Sequence, residues 1–374
     1  MTWIFWVSAS LIAYTYVGYA AWLWLQAQLF PWPVMRMRQE LPISIVMVVR
    51  NEERVLDDKL RNLLNLDYPP EHCQIVIASD GSTDRTEEIL RGHLDNPRVQ
   101  VVMNQLSRGK ASGLNDAFEW AHGDIVVFTD ARQKIEPGAL RVLAESFADP
   151  NVGCVSGELM LGDLDSGETR RGMGLYWRIE KQVRELEAAS GSVVGATGAL
   201  YAVRRDLLTA VPEGTILDDV YIPLQVVKQG KRVVFEPRAR AWDRPDLGSG
   251  LEFARKVRTL SGNYQLVQLM PWLLSGQNPV LLRFVSHKLL RLVAPFALAA
   301  LFVASLWLKA PLYRAALILQ LAFYGLGAVA LARLLKRGPL ARAADAAATF
   351  VLLNTAAVVA FANFVSGRKV AWSR

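Results

Sequence analysis

The N-terminal segment restricts the fold of this chain most, because residues 1–35 contain no charged side chain. Three further charge-free runs occupy residues 292–308, 315–332 and 346–367. Each run is close to the roughly 20 apolar residues that a helix needs to cross a bilayer. The pattern predicts an N-terminal membrane anchor and a C-terminal membrane region around a charged middle part.

We expect the N-terminal run to be a retained anchor, since it is too long for a signal-peptide core and lacks a basic start. Its tryptophans lie towards its ends, as interfacial aromatics do. These are Trp3, Trp6, Trp22, Trp24 and Trp32. Arg36 and Arg38 then place the middle part in the cytosol by the positive-inside rule. With three C-terminal spans, the basic tail 368–374 would lie outside the cell. Either this protein is an exception to the rule, or one of the runs does not cross the membrane.

The middle part, residues 36–250, alternates predicted strands with predicted helices. Apolar runs at 43–49, 74–78, 99–103 and 124–129 predict strands, and the spacing at 55–66, 84–91 and 110–121 predicts helices. This alternation is typical of an α/β domain with a parallel, doubly wound sheet whose loops gather at one edge.

Acidic residues follow three of the predicted strands, namely Glu52, Asp80 and Asp130. In open α/β sheets ligands bind beyond the carboxyl ends of the strands. A lone acid such as Asp130 suits a hydrated cation on a diphosphate, although a turn aspartate is the simpler alternative. For Asp84 we favour a helix cap.

Two later segments carry charges at helical positions. Residues 168–189 predict an amphipathic helix, and we expect its charged face to be solvated. Asp218 and Asp219 begin a helix that should end near Gly230. These two acids are either an N-cap pair that is stabilised by the helix dipole or part of a catalytic site.

The net charge of +7 arises from 42 basic and 35 acidic residues. In a membrane protein this excess indicates contacts with lipids and phosphate groups. We find no nucleic-acid motif and no zinc-ligand spacing, so we expect membrane lipids and no nucleic acid as partners. The two cysteines, Cys73 and Cys154, are too few for a disulfide framework.

Seven short motifs, taken in order, resemble the GT-A glycosyltransferases of family 2, in the superfamily that includes cellulose and hyaluronan synthases. They are Val49–Glu52, Ser79–Asp84, Arg108–Asn115, Phe128–Ala131, Gly195–Tyr201, Leu217–Asp219 and Arg255–Arg258. Each motif alone is weak, but all seven occur in the order of the family. The resemblance covers about residues 43–262 and implies a Rossmann-like domain that binds a nucleotide sugar.

The resemblance also implies roles for single residues. Asp80 would hold the nucleotide base, and Glu52 and Lys110 would line the nucleotide and its diphosphate. Asp130 would bind Mg²⁺ or Mn²⁺.

The later motifs would supply the chemistry of transfer. Gly198 belongs to a loop that lies under the donor and acceptor sugars in the family. Asp219 matches the catalytic position and would take the proton from the acceptor hydroxyl. Arg255 and Arg258 would line the substrate, with Arg258 neutralising the departing diphosphate. The alternative for these arginines is a basic helix on the membrane surface.

Two positions depart from the family pattern. Arg132 replaces the second acid of the Asp-x-Asp metal motif, which weakens a divalent-cation site. Arg132 either contacts the diphosphate in bidentate fashion or points to the surface. Thr259 replaces the Trp that packs on an acceptor sugar in polymerising members, so a processive synthase is less expected.

From these observations we predict a multi-pass protein of the inner (cytoplasmic) membrane with a cytosolic catalytic domain. The expected parts are an anchor at 1–35, a GT-A domain at 36–250, amphipathic interfacial helices at 251–288 and a membrane region at 289–374. The expected function is inverting transfer from a nucleoside-diphosphate sugar, with a UDP-sugar favoured, to a lipid-linked saccharide in envelope or exopolysaccharide synthesis. The alternatives are a processive synthase, for which a homo-oligomer could complete a channel, and a non-catalytic nucleotide-binding scaffold.

Overall fold

The structure is a computed structural model that describes residues 1–164, 168–169, 175–244, 249–332, 334 and 338–368. Residues 369–374 of the basic tail lie outside the described residues.

The described strands belong to one central sheet and one short hairpin partner. They are β1 Ile43–Val49, β2 Cys73–Asp80, β3 Val99–Asn104, β4 Ile125–Phe128, β5 Lys134–Ile135, β6 Val152–Asp163, β7 Glu168–Thr169, β8 Tyr201–Arg204 and β9 Arg232–Asp243.

Helices surround this sheet and form both ends of the chain. They are α1 Thr2–Ala13, α2 Tyr19–Leu29, α3 Leu56–Leu64, α4 Thr86–Arg91, α5 Lys110–Phe118, α6 Ala139–Ser146, α7 Leu175–Ala189, α8 Asp218–Lys228, α9 Ser249–Leu269, α10 Leu281–Phe284, α11 Leu290–Trp307, α12 Pro311–Leu331 and α13 Pro339–Val365. Two π-helical segments, Tyr14–Gly18 and Val285–Leu289, join α1 to α2 and α10 to α11.

The sheet has the strand order β3-β2-β1-β4-β8-β6-β9-β5, with β7 paired to β6. The first four strands in this order are parallel, as the alternating pattern predicted. Strand β8 runs antiparallel to both β4 and β6, and β6 is parallel to β9. The α/β prediction is therefore confirmed, and the sheet is mixed beyond β4.

Strand β1 shows why these segments form the centre of the sheet. All seven of its residues, Ile43–Val49, are buried. A continuous β-branched and apolar run of this kind suits a strand that is covered on both faces, because helices pack on each side of a parallel sheet.

Helix α7 differs from its prediction in two ways. It begins at Leu175, whereas the residues 168 and 169 of the predicted helix form strand β7. Its charged face is not solvated throughout, because Glu180 is 7% exposed and Glu187 is fully buried. Both carboxylates contact the helical region that begins at Leu281, and the spacing of charges within α7 does not reveal a contact with so distant a segment.

Four helical segments are long and apolar enough to cross a membrane, within the described residues. They are Thr2–Leu29, Leu281–Trp307, Pro311–Leu331 and Pro339–Val365. The second starts at Leu281, earlier than the predicted boundary at residue 289. These segments indicate a membrane protein, and the stacked rings of Tyr264 and Phe364, 4.8 Å apart, join α9 to the last of them.

Candidate active site

The carboxyl ends of β1, β2 and β4 meet at one edge of the sheet. Val49 lies opposite Ser79 in the β1–β2 register, and Val46 lies opposite Phe128 in the β1–β4 register. The short loops that follow these strands therefore start side by side. This places the Glu52, Asp80 and Asp130 segments around one crevice, as parallel strand ends require.

Asp80 is enclosed by the loop that precedes α5. Its side chain is fully buried, and it accepts hydrogen bonds from Ser107 Oγ at 2.7 Å, Arg108 N at 2.7 Å and Gly109 N at 3.0 Å. Gly81 permits this closure, since a Cβ there would lie 2.5 Å from Ser107 N. Asp80 thus fixes the loop that leads to Lys110.

Glu52 lies in a loop that is tied to the start of α4. Its backbone N–H donates to Thr86 Oγ1 at 2.8 Å. Asp84 Oδ1 accepts from the N–H of Thr86, the first residue of α4, at 3.0 Å, although the N-cap residue of this helix is Arg85. Asp84 therefore binds a first-turn N–H from one position before the cap, where we had expected the cap itself.

Lys110 joins the end of β4 to the start of α8. Its Nζ atom lies 3.0 Å from Asp130 Oδ1 and 3.1 Å from Asp218 Oδ2. Burial opposes its charge, but Asp130, Asp218 and Asp219 raise the pKa of Lys110 above its usual value. Lys110 is therefore a permanent cation at this edge of the sheet.

Asp130 has further cations around it. Burial opposes its ionisation, yet Lys110, Arg132 and Lys59 hold the pKa of Asp130 below its usual value. Arg132 is half-buried beside it. Three cations thus surround the Asp130 carboxylate, while Asp218 and Asp219 lie near Lys110, so the crevice holds charges of both signs.

Lys59 was not predicted as part of this site. It is 2% exposed and donates from Nζ to Thr129 Oγ1 at 2.9 Å and to the backbone oxygen of Gln133. Burial lowers the pKa of Lys59 to about 7, although Asp130 raises it in part. Through these hydrogen bonds Lys59 stabilises the turn that contains Asp130.

Asp219 lies in the first turn of α8, under the segment of residues 196–198. Ala196 N donates to the backbone oxygen of Asp219 at 2.7 Å. On the other side, a Cβ added to Gly198 would lie 3.2 Å from Asp219 Oδ2. Burial and the neighbouring charge of Asp218 raise the pKa of Asp219 to about 6, with Lys110 opposing the shift.

A small cavity lies beside this cluster. Gly198, Lys110, Asp218 and Tyr201 contribute to its lining. The buried Tyr201 hydroxyl has no hydrogen-bond partner within the described part of the chain. Burial raises the pKa of Tyr201 well above its usual value, so the phenol stays protonated and can donate to a ligand.

Arg255 and Arg258 lie on α9, apart from the described contacts of the carboxylate cluster. Helix α9 itself is fixed against the segment before α8, where a Cβ on Gly262 would lie 2.5 Å from Leu217 Cγ. Gln265 Oε1 accepts from Ile216 N at 2.9 Å. The structure thus brings Lys110, Asp130, Gly198 and Asp219 together, with Arg132 beside them.

A buried polar network ties this site to the apolar helices. His287, in the π-helical segment before α11, directs Nδ1 at Glu187 Oε1 (2.9 Å) and Nε2 at Glu180 Oε1 (3.0 Å). Tyr19 of α2 donates to Glu187, and Arg291 of α11 donates to Glu180.

The same network reaches the segment next to Asp219. Arg184 of α7 lies 3.6 Å from Glu180 and donates to Thr197 Oγ1 at 3.0 Å. The carboxylates and His287 were not predicted to meet, because their separation in sequence gives no signal of contact.

Within the described ranges, no three His, Cys, Asp or Glu side chains converge as a metal centre would require. The chain offers Asp130, with Asp218 across the Lys110 ammonium, as oxygen ligands. Mg²⁺ and similar cations are commonly held by one or two carboxylates together with substrate phosphates.

Comparisons with known proteins identify similar sequences and a similar fold. Residues 44–211 match the family described as Glycosyl transferase family 2. Poly-beta-1,6-N-acetyl-D-glucosamine synthases of Staphylococcus aureus and Staphylococcus epidermidis are 26% identical over 230 residues, which is 60% of this chain and 55% of theirs. The chain thus spans about half the length of these curated relatives.

A solved structure is similar over nearly the whole chain. It is a mannosyltransferase from Pyrobaculum calidifontis in complex with GDP-Man and Mn²⁺, with a TM-score of 0.74 and 21% identity. The similarity covers 98% of this chain and 99% of that one. At this identity it shows the fold, namely a Rossmann-like GT-A domain with attached apolar helices.

Proposed function

Because the domain that contains residues 44–211 belongs to glycosyltransferase family 2, we propose that this membrane protein is an inverting glycosyltransferase. The donor is a nucleoside-diphosphate sugar and the acceptor is a membrane-held saccharide of envelope or exopolysaccharide synthesis. The observation that carries the proposal is the half-buried Asp219 close to the paired charges of Lys110, Asp130 and Asp218.

Asp219 acts as the general base. A base works best when its pKa lies near the working pH, and burial raises the pKa of Asp219 to about 6. The acceptor hydroxyl loses its proton to Asp219 as its oxygen attacks the anomeric carbon. Attack from the side opposite the leaving diphosphate inverts that centre.

The cations of the crevice stabilise the leaving diphosphate. Lys110 is charged at every relevant pH and already bridges two carboxylates. Arg132 adds a second positive charge beside Asp130. Fixed charges in a partly desolvated crevice stabilise developing negative charge more than they would in water. Arg255 and Arg258 of α9 are the further substrate-lining cations of this proposal.

A divalent cation fits the site with Asp130 as its protein ligand. Asp130 is 36% exposed, so its carboxylate is accessible from the crevice. A bound Mg²⁺ or Mn²⁺ would neutralise charge on the diphosphate. Before it binds, Lys110 shares the Asp130 carboxylate, so the protein keeps that carboxylate ionised.

We infer a UDP-sugar as the donor, with N-acetylglucosamine as the first candidate sugar. The inference is supported by the similarity to poly-beta-1,6-N-acetyl-D-glucosamine synthases. In our proposal Asp80 and the loop it fixes face the base, and Glu52 lines the nucleotide. The catalytic domain faces the cytosol, and the apolar helices lie in the inner membrane and deliver the acceptor from the lipid.

A processive synthase is the second candidate function, and the named relatives favour it. Thr259, where polymerising members place a Trp, favours limited addition instead. Its side chain donates to the backbone oxygen of Arg255 and provides no ring for an acceptor sugar. Product length separates the two candidates: limited addition gives a discrete, organic-extractable lipid, and processive synthesis gives a long water-soluble polymer.

Asp219→Asn tests the base directly. We expect detergent-purified Asp219→Asn protein to bind UDP as the wild type does and to lose transfer from labelled UDP-N-acetylglucosamine to membrane lipids by roughly 10²–10⁴-fold. Asp206→Asn, on an exposed turn, is the control and should keep full activity. Near-normal transfer by Asp219→Asn would exclude this residue as the base.

A further inference from the structure

A hydrogen-bonded bridge behind the crevice joins three elements of the fold. Lys59 of α3 donates from Nζ to Thr129 Oγ1 at 2.9 Å, and Thr129 Oγ1 donates to the backbone oxygen of Ala199 at 2.9 Å. We propose that Lys59 and Thr129 are positioning residues for the two carboxylates of the site. Their bridge fixes the turn that contains Asp130 against the segment that contacts Asp219. This inference rests on the proposed function, since it takes both carboxylates to act on one substrate.

The direction of the bridge follows from the chemistry of its groups. Lys59, Thr129 and Ala199 are all buried, so water does not compete for their hydrogen bonds. An ammonium group can only donate, so the single hydroxyl hydrogen of Thr129 must point to another acceptor. The backbone oxygen of Asp130 is 3.4 Å from this hydroxyl, which is too long for a strong bond, and Ala199 is therefore the acceptor.

Lys59 also closes the turn 129–133 from the inside. Besides Thr129, it donates to the backbone oxygen of Gln133, so one ammonium group holds both ends of the turn. Asp130 lies between these two ends and is half-buried. The turn is thus held through its buried members, and the Asp130 carboxylate stays available to the crevice.

A second side chain of α3 holds the residues that follow the turn. Asn62 lies three positions after Lys59, on the same face of the helix. It donates from Nδ2 to the backbone oxygen of Ile135 at 2.9 Å, and its Oδ1 accepts from Ile135 N at 2.8 Å. Helix α3 therefore holds the turn and strand β5 as one unit.

The other end of the bridge reaches the proposed base. Ala199 follows Gly198, where an added Cβ would lie 3.2 Å from Asp219 Oδ2. Ala196 N, in the same segment, donates to the backbone oxygen of Asp219 at 2.7 Å. The Thr129 hydroxyl thus sets the distance between the turn and the segment beside the base. Transfer between two bound substrates depends on such spacing, because a shift of about 1 Å can reduce a rate by 10²-fold.

Hydrogen–deuterium exchange of the full chain in detergent tests the bridge without any ligand. Thr129→Val keeps the shape of the side chain and removes the hydroxyl. It should raise exchange in peptides that contain residues 130–135 and residues 196–200. Thr129→Ser restores the hydroxyl and should exchange as the wild type does. Thr209→Val, at an exposed position, is the matched control and should leave both peptides unchanged.

Cation binding and transfer test the positioning role. With UDP present, Mn²⁺ affinity is measured by electron paramagnetic resonance. It should be weakened by roughly 10–100-fold in Thr129→Val, the loss that is typical when a group orienting a metal ligand is removed. The kcat for transfer from labelled UDP-N-acetylglucosamine to membrane lipids should fall by a similar factor, and Thr129→Ser should recover both. Lys59→Met should act in the same direction, with Lys228→Met, at the exposed end of α8, as its control.

Three outcomes would overturn the inference. In the first, exchange at residues 196–200 is the same in Thr129→Val and the wild type. In the second, exchange rises but Mn²⁺ affinity and kcat stay unchanged, so the bridge only stabilises the fold. In the third, Thr129→Ser loses as much as Thr129→Val, so the hydroxyl is not the cause. Failure of the proposed function looks different: the wild type itself would bind no Mn²⁺ with UDP, while exchange at residues 196–200 still decides whether the bridge joins the two segments.

Discussion

Asp218 Oδ2 lies 3.1 Å from Lys110 Nζ, and the same ammonium lies 3.0 Å from Asp130 Oδ1. One side chain thus connects the end of a central strand to the first turn of α8. Asp218 also places a negative charge next to Asp219 and helps to raise its pKa. In the proposed mechanism, Asp218 positions Lys110 and tunes the base, while Asp219 takes the proton.

The pH dependence of transfer should report this tuning. Asp219 must be ionised to act as a base, so kcat/KM should fall as the pH drops through about 6. Asp218→Asn removes a like charge and should lower the pKa of Asp219, which moves the acid limb of the profile to lower pH. The measurement is kcat/KM between pH 4.5 and 8. An acid limb that stays in place in Asp218→Asn would show that Asp218 does not tune the base.

The stability of the protein should respond in the opposite sense to its activity. The pKa of Asp219 is higher in the folded chain than in the unfolded chain, so its ionisation costs stability once the pH rises above the unfolded value. Asp219→Asn removes this cost and should raise the melting temperature at pH 7.5 while it abolishes transfer. Equal melting temperatures for the two proteins across pH 5–8 would contradict the burial of a charged carboxylate at this position.

Gly198 should be intolerant of even one added methyl group. A Cβ at this position would lie 3.2 Å from Asp219 Oδ2, so Gly198→Ala should displace the carboxylate by a few tenths of an ångström. Small misplacements of a catalytic group can reduce rates by about 10²-fold. The matched control is Gly138→Ala, because Gly138 has a φ of −85° and no atom within 4 Å of an added Cβ. If both variants transfer sugar at the wild-type rate, the segment does not position Asp219.

Cation dependence should depend on Asp130. In wild type, we expect UDP to raise the melting temperature more with Mn²⁺ or Mg²⁺ than with a chelator. Asp130→Ala should lose this difference, whereas Asp124→Ala, at the exposed opposite end of the same strand, should keep it. If chelator leaves UDP binding and transfer by wild type unchanged, then Lys110 and Arg132 supply the counter-charge without a metal.

The sequence was sufficient to predict the parallel half of the sheet. Strand β1 is an unbroken apolar run, and Asp84 accepts a hydrogen bond from the first residue of α4, so local chemistry decides both. It was not sufficient for β7, because the two residues of that strand fall inside a segment with helical spacing. Such a short strand forms only because it pairs with another strand, and the periodicity of its own segment does not reveal that pairing.

The site was predictable where short loops follow adjacent strands and unpredictable where distant segments meet. Asp130 and Lys110 could be assigned from motifs, but their 3.0 Å contact with each other could not. Lys59 supports the site and Tyr201 lines it, and both side chains are buried. In the sequence, nothing separates these two positions from ordinary core positions. The charges of α7 were expected in solvent because their partner, His287, lies a hundred residues later.

The last prediction concerns this contact between α7 and the apolar helices. His287 lies between Glu187 and Glu180, and each of its two ring nitrogens faces a carboxylate oxygen of one of them. Burial opposes ionisation of Glu187, yet the pKa of Glu187 is lowered by His287 and Tyr19. A lowered folded pKa means that the pair stabilises the protein above the unfolded pKa of Glu, near 4.5, and that this contribution is lost as the pH falls further.

Glu187→Gln should therefore lower the melting temperature in detergent at pH 7 by several degrees, since it weakens buried hydrogen bonds from Tyr19 and His287 to a charged carboxylate, each worth about 1.5–3 kcal/mol. The difference from wild type should shrink as the pH falls below 4.5, because the carboxylate of the unfolded chain takes up its proton there and that of the folded chain only at lower pH. Glu185→Gln is the matched control on the same helix, because Glu185 is 44% exposed and should change stability little. Since Arg184 continues the network to Thr197, Glu187→Gln should also reduce transfer. Equal melting temperatures for the two variants would show that the network does not hold the catalytic domain on its membrane helices.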